Sequence, residues 1–164
     1  MRLPWKQSRR STPSVVPFDW IEAHAWMQWD APRNYIAGEV SYAKALMQIT
    51  GPPCANGYCW PVVVRLLREP GNPHDANAIR AEVSGARLGY LRRHLAAQVT
   101  PALDGAGLRE FWVPGLLRGG STSATHVGCH VWLDRSINDD GVEIKLPEHD
   151  EWIVPWPINA WERP

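Results

Sequence analysis

The chemistry on offer in this chain is concentrated in a run rich in proline and glycine. Asn72, His74 and Asp75 place an amide, an imidazole and a carboxylate among Pro70, Gly71 and Pro73, within the stretch Arg68-Glu69-Pro70-Gly71-Asn72-Pro73-His74-Asp75-Ala76-Asn77-Ala78-Ile79. Proline fixes φ, glycine permits positive φ, and Asn and Asp side chains bond to nearby backbone, so the run reads as a rigid turn. A carboxylate at such a turn tip can accept a hydrogen bond from a terminal 3′ hydroxyl. An internal phosphodiester offers no donor there and is repelled by the charge. The same Asp75 and Asn77 also suit the plainer task of tying down the turn. A second signal, Leu88-Gly89-Tyr90-Leu91-Arg92-Arg93-His94-Leu95, joins a strand end to a basic helix start. Arginine there delivers paired hydrogen bonds to phosphate oxygens, and a helix start adds free N–H groups and a positive dipole end. Together the two segments suit the end of a phosphate chain, and the plain alternative is a solvated helix end with Tyr90 in the core.

The elements that must position these residues are short. Val62-Val63-Val64-Arg65-Leu66-Leu67 is a near-continuous apolar run, as in a buried strand, so a strand is expected over Pro61 to Leu67. Ala78 to Val83 and Arg87 to Leu91 flank the turn pair Ser84-Gly85 and read as a hairpin. From Arg92 to Leu103, the spacing of Leu95, Val99, Ala102 and Leu103 predicts an amphipathic helix that Pro101 kinks or ends early, with Gly105 and Gly107 as stops. Further strands are expected over Tyr35 to Tyr42, Leu108 to Leu117 and Thr125 to Leu133. A helical turn is expected over Ala43 to Ile49, a loop over Cys54 to Trp60, and a short edge strand over Val142 to Leu146. Nothing supplies the crossover helices of a βαβ fold, so a small barrel fits better.

The ordered set Gly38-Glu39-Val40-Ser41-Tyr42, the Arg68 to Ile79 run, then Gly89-Tyr90-Leu91-Arg92-Arg93 and Leu95-Ala96 resembles a HIRAN domain over roughly residues 34 to 135. The resemblance implies a mainly β fold with short helices, a modified OB-type β-barrel that binds nucleic acid, with capture of single-stranded DNA at 3′ ends as in eukaryotic remodelling helicases. By the resemblance, Asp75 meets the terminal hydroxyl and His74 occupies the position of an aromatic that stacks on a base. Asn72, Tyr90 and Arg93 match positions that hold the strand's backbone, and Arg92 stands beside them. Ser41 and Tyr42 close the first strand, where the family often carries an aromatic pair. Here one aromatic remains, and Val40 stands where the eukaryotic domains have a basic residue. One stacking platform is worth roughly 1–3 kcal/mol per base, so these departures lower the expected affinity.

Bulk composition bounds the reading. At 164 residues the length suits one domain with tails, and 45% hydrophobic content suits a packed core. Fifteen prolines argue against long helices, and ten tryptophans against two phenylalanines is a large excess. A flexible arm is expected over 1–17, a short helical extension over 18–33, the barrel over 34–135, and an acidic Trp/Pro-rich extension over 136–164, whose Trp152, Trp156 and Trp161 either strap the barrel or present a partner peptide. Overall charge is zero, but residues 37–135 hold ten Lys/Arg against seven Asp/Glu, and residues 136–164 hold two against seven. A mildly basic body with an acidic tail suits modest nucleic-acid affinity. Cys54, Cys59 and Cys129 are an odd number and imply no complete disulfide framework. With His126 and His130 they match no standard zinc spacing, so no cofactor is expected and structural zinc is disfavoured. Neither a signal peptide nor a transmembrane run is visible, which points to a soluble cytoplasmic protein without membrane contact. No phosphate loop, nucleophile elbow or metalloprotease motif is present. The expectation is a non-catalytic binding module, linked to DNA repair, replication or mobile-element processing, for single-stranded DNA or a DNA 3′ end, with any activity supplied by a helicase or nuclease partner. The rivals are a protein-interaction domain that has lost the groove and, with less support, a hydrolase or zinc-dependent enzyme.

Overall fold

A computed structural model describes residues 34–146, apart from 39–40, 134–135 and 139. The arm and helix expected before residue 34, Val40, and the tryptophans after residue 146 lie outside the described residues. Six strands form one antiparallel sheet: β1 (Ile36–Ala37), β2 (Tyr58–Arg68), β3 (Ile79–Val83), β4 (Ala86–Leu91), β5 (Glu110–Gly119) and β6 (Val127–Val131), with helices α1 (Ala43–Thr50) and α2 (Arg93–Gly105). Their order across the sheet is β1-β4-β3-β2-β5-β6. The two edges then meet, because Tyr35 bridges His130 and the Val131 N–H donates to the Asn34 carbonyl at 2.8 Å. The sheet thereby nearly closes on itself, and the result is an OB-like barrel.

Alternation decides what faces inward. On β2, Val64 and Leu66 are buried in the core and Arg65 points out; on β3, Ile79, Ala81 and Val83 point in and Arg80 and Glu82 point out. The outward charges pair across the strands. Arg65 contacts Glu110 and lies 3.5 Å from Glu82, and Glu82 lies 2.9 Å from Arg80. Tight Ser84-Gly85 closes the β3–β4 hairpin with φ of 50° and 81°, the positive pair that a two-residue hairpin requires. Helix α2 buries Leu95, Ala96, Val99 and Leu103 against the barrel.

Four expectations are corrected. In place of the edge strand expected over Val142 to Leu146, Glu143 makes a single bridge, to Ile137. The first strand is two residues long: Gly38 adopts φ +95°, and Ser41 and Tyr42 lie in a turn leading into α1, with Ser41 N–H donating to the Gly38 carbonyl at 2.9 Å. Of the kink or early end expected at Pro101, the early end does not occur: α2 runs on to Gly105, the first of the expected stops. Proline removes one donor, whose lost acceptor is the carbonyl of exposed Ala97, while buried apolar side chains on both sides hold the turn in place. The backbone of Tyr58 to Trp60 is strand rather than loop, because it continues the β2 ladder opposite Leu117 to Gly119.

Beyond β6 the described residues 136–138 and 140–146 pack back on the barrel. Ile137 bridges Trp112 and Glu143, and Ile144 and Leu146 pack against the core. Trp112 and Trp132 are buried, as a core role for the strand tryptophans requires. Among the described residues no helix is long and apolar enough to cross a membrane.

Candidate nucleic-acid interface

The turn between β2 and β3 is held at almost every residue. Glu69 N–H donates to the Ala78 carbonyl at 2.8 Å, Asn72 N–H to the Glu69 carbonyl at 2.9 Å, and Ala78 N–H to the Asp75 carbonyl at 3.0 Å. Two side chains cap the bends inside it: Asn72 Oδ1 accepts from His74 N–H, and Asp75 Oδ1 from Asn77 N–H, each at 2.9 Å. Arg68 ties the corner to the far end of α2. Its guanidinium donates to the Ala76 carbonyl at 2.9 Å and to Asp104 at 3.0 Å, and that hydrogen bond holds the Asp104 carboxyl below its ordinary range. This bracing is what the Pro/Gly/Asn/Asp composition called for.

The corner and the basic helix start are neighbours. Asp75 Oδ2 faces Arg93, with Nε at 3.5 Å. The two differ in exposure: the Asp75 side chain is 19% exposed and that of Arg93 76%. The carboxylate is therefore recessed and the arginine open to solvent. One Asp75 oxygen caps the turn, and the other faces the helix start. His74 is exposed at the tip, and Ser41 is exposed in the turn before α1.

Glu69 organises the wall beside them. Its carboxylate accepts from Arg80 at 2.6 Å, Tyr90 Oη at 3.0 Å, Asn72 Nδ2 at 3.2 Å and Arg87 at 3.5 Å. Partial burial pushes the Glu69 carboxyl up, but the hydrogen bonds from Asn72 and Tyr90 and the charges of Arg80 and Arg87 together outweigh it and hold it below its ordinary value. The same contact, after burial, pushes the Tyr90 phenol up, so Tyr90 remains a donor at neutral pH. Tyr42, half-buried with its ring beside Gly38, lies near Arg87, whose guanidinium is 5.7 Å from the Tyr90 ring centroid.

Of the residues singled out from the sequence, Asp75 and Arg93 come together directly. Asn72 and Tyr90 meet through Glu69, each with a donor engaged by that carboxylate, and Asn72 keeps a second amide N–H. Tyr42 joins the same cluster through Arg87. Arg92 lies against Tyr35 rather than in the Glu69 cluster, its guanidinium 4.7 Å from the ring centroid. Sequence reasoning missed Glu69, Arg80, Arg87 and Tyr35 as site residues. Glu69 lay within the quoted motif and was the one acid beside several donors, which was the available signal.

The cysteines and histidines weighed for zinc are apart in role. Cys54 Sγ donates to the Gly57 carbonyl at 3.3 Å, Cys129 is buried within β6, and His126 is exposed ahead of it. Among the described residues no group of three or more His, Cys, Asp or Glu side chains is placed to hold a metal.

Comparison with known proteins agrees with this arrangement. Residues 56–134 match the model of the HIRAN domain. Over 43 residues the chain is 46% identical to a helicase-like transcription factor of Oryctolagus cuniculus, a stretch that is 26% of this chain and only 4% of that protein. No solved structure matches the chain. Strands β2 to β6, the braced corner and the arginine facing it fall in the matched segment: residues 56–134 of this chain form a HIRAN domain.

Proposed function

We propose that this domain binds single-stranded DNA and takes its 3′ end at the corner, with Asp75 accepting the terminal hydroxyl and Arg93 holding the nearby phosphate. HIRAN is a DNA-binding domain rather than a catalytic one. The observation that carries the finer reading is the recessed Asp75 carboxylate 3.5 Å from an arginine that is itself exposed. A hydroxyl donor satisfies the carboxylate, while a terminal phosphate placed there meets like charge. With Nε toward Asp75, the two terminal amines of Arg93 remain for phosphate oxygens. His74 at the tip offers a flat face for a base, and Asn72, Tyr90, Tyr42, Ser41 and Arg92 line the approach. A helicase or nuclease partner supplies the enzymatic step that such end recognition serves.

Fluorescence anisotropy with 5′-labelled strands ending in 3′-hydroxyl or 3′-phosphate, at two salt concentrations, tests this. The hydroxyl-ended strand binds more tightly. Asp75→Asn narrows the difference, since asparagine can still cap Asn77 but carries no charge to repel a phosphate. Arg93→Ala weakens both strands, roughly tenfold, as expected for one charge-assisted contact. Negligible, equal binding of both strands removes the reading and leaves a protein-interaction role for the barrel.

A further inference from the structure

The outward face of β4 continues past the corner onto β1. Tyr90 points outward from β4, Leu91 after it turns into the core, and Arg92 follows directly at the junction with α2. In the β1–β4 register Ala37 lies opposite Tyr90 and Ile36 opposite Leu91. The next pair in that register is Tyr35 and Arg92, and their side chains do meet, the guanidinium over the ring at 4.7 Å from its centroid. One row back, Arg87 lies over Tyr90 in the same manner. The outer face thus carries two arginine–tyrosine stacks in adjacent rows.

The rows are not equivalent. Arg87 and Tyr90 both contact Glu69, whose carboxylate engages a donor of each and fixes their positions. The Tyr35–Arg92 row lies outside the set of side chains bonded to Glu69, and Arg92 is followed directly by exposed Arg93. Tyr35 is 42% exposed, one of three large hydrophobic side chains so placed among the described residues, although its neighbour Ile36 is fully buried. Its ring therefore adds nothing to the core, and its seam contact with His130 is a backbone bridge. Two residues along a strand span about 6.6 Å, roughly double the 3.4 Å rise per nucleotide of stacked DNA. A strand whose bases are pulled apart by that factor lays successive nucleotides on successive rows. A flat ring holding a guanidinium against it is the pairing that suits a base and its adjacent phosphate.

We propose that Tyr35 and Arg92 form a further nucleotide subsite, the ring stacking a base and the guanidinium taking a phosphate, so that the binding track runs from the Asp75 corner across β4 to the β1–β6 seam. This rests on the reading of the corner as a single-strand site. The test is a ladder of 5′-labelled oligothymidylates of increasing length, each with a free 3′-hydroxyl, titrated against the full chain. Wild type gains affinity at the length that reaches Tyr35. Tyr35→Ala loses that gain, roughly tenfold, and keeps wild-type affinity for the shortest strands, while Tyr35→Phe retains it. Placing an abasic site at that nucleotide reproduces the loss with the wild-type protein, and Arg92→Ala lowers the salt slope by about 0.7. A Tyr35→Ala protein that melts as wild type does and gains affinity with length as wild type does overturns the subsite. An Asp75→Asn protein that keeps both the length gain and the hydroxyl preference overturns end capture and leaves the subsite standing. Failure of wild type to bind any length overturns both.

Discussion

Gly89→Val abolishes folding of the barrel, and Gly89→Ala lowers its stability by about 3 kcal/mol or more. A Cβ at this position would stand 2.1 Å from the Ala37 carbonyl oxygen and 2.9 Å from Ile36 Cγ2, and the residue has φ +144°. Both penalties act at once, since the backbone conformation is strained for any side chain and the obstacle is backbone of the neighbouring strand. Relief requires β1 to move off β4. That would open the seam, because β1 is only two residues long and its other neighbour, β6, is held through Tyr35 and Asn34. Against a total stability of roughly 5–15 kcal/mol, a loss of this size is a large fraction. Thermal unfolding of Gly89→Ala reads it as a midpoint lower by about 10 °C. Gly71→Ala is the control: nothing lies within 4 Å of its added Cβ, and its melting temperature stays near wild type. A normal melt for Gly89→Ala contradicts the close β1–β4 approach.

Glu69→Ala is expected to cost about 2–3 kcal/mol and to weaken strand binding without removing any group that touches the strand. Four donors from three segments converge on this carboxylate: Asn72 in the corner, Arg80 on β3, and Arg87 and Tyr90 on β4. Removal leaves them half-buried without that acceptor, and the magnitude is kept modest because the side chain is 21% exposed and Arg80 retains Glu82. The pH dependence has a definite sign. Since the folded carboxyl sits below its ordinary value of 4.5, its contribution is complete above that value and is lost as pH falls through the lower, folded value. Denaturant midpoints for wild type therefore fall as pH is taken down through that range. Glu69→Gln, which cannot ionise and turns an N–H toward Tyr90 or Asn72, starts lower at neutral pH and shows a shallower decline. Parallel pH profiles for the two proteins would show that the cluster contributes nothing.

How far the sequence could be read follows from the range of the interactions involved. The β3–β4 hairpin was legible because Ser84-Gly85 between two alternating runs is local turn chemistry, and the observed strands begin and end within a residue of the expected ones. The corner was legible for the same reason: prolines, a glycine and two side chains that bond backbone two residues away need no tertiary partner. The first strand was misjudged because Gly38 breaks it, and only the approach of Gly89 to Ala37 shows why the chain must turn there. The early end offered by Pro101 did not occur, since burial of Leu95, Val99 and Leu103 against the barrel outweighs one missing hydrogen bond.

By itself, then, the amino-acid order determined the bent, braced loop bearing Asn72, His74 and Asp75, the basic start of α2, and the barrel as the fold that fits short strands without crossover helices. Only the tertiary structure decided which side chain each of these would meet. Arg93 found Asp75, Arg92 found Tyr35, and Tyr90 and Asn72 found Glu69. Those pairings depend on strand register and on closure of the sheet, and a one-residue slip in either would turn every outward group of that strand inward. Register is set by the sum of core contacts along whole strands, so no short window of sequence contains it.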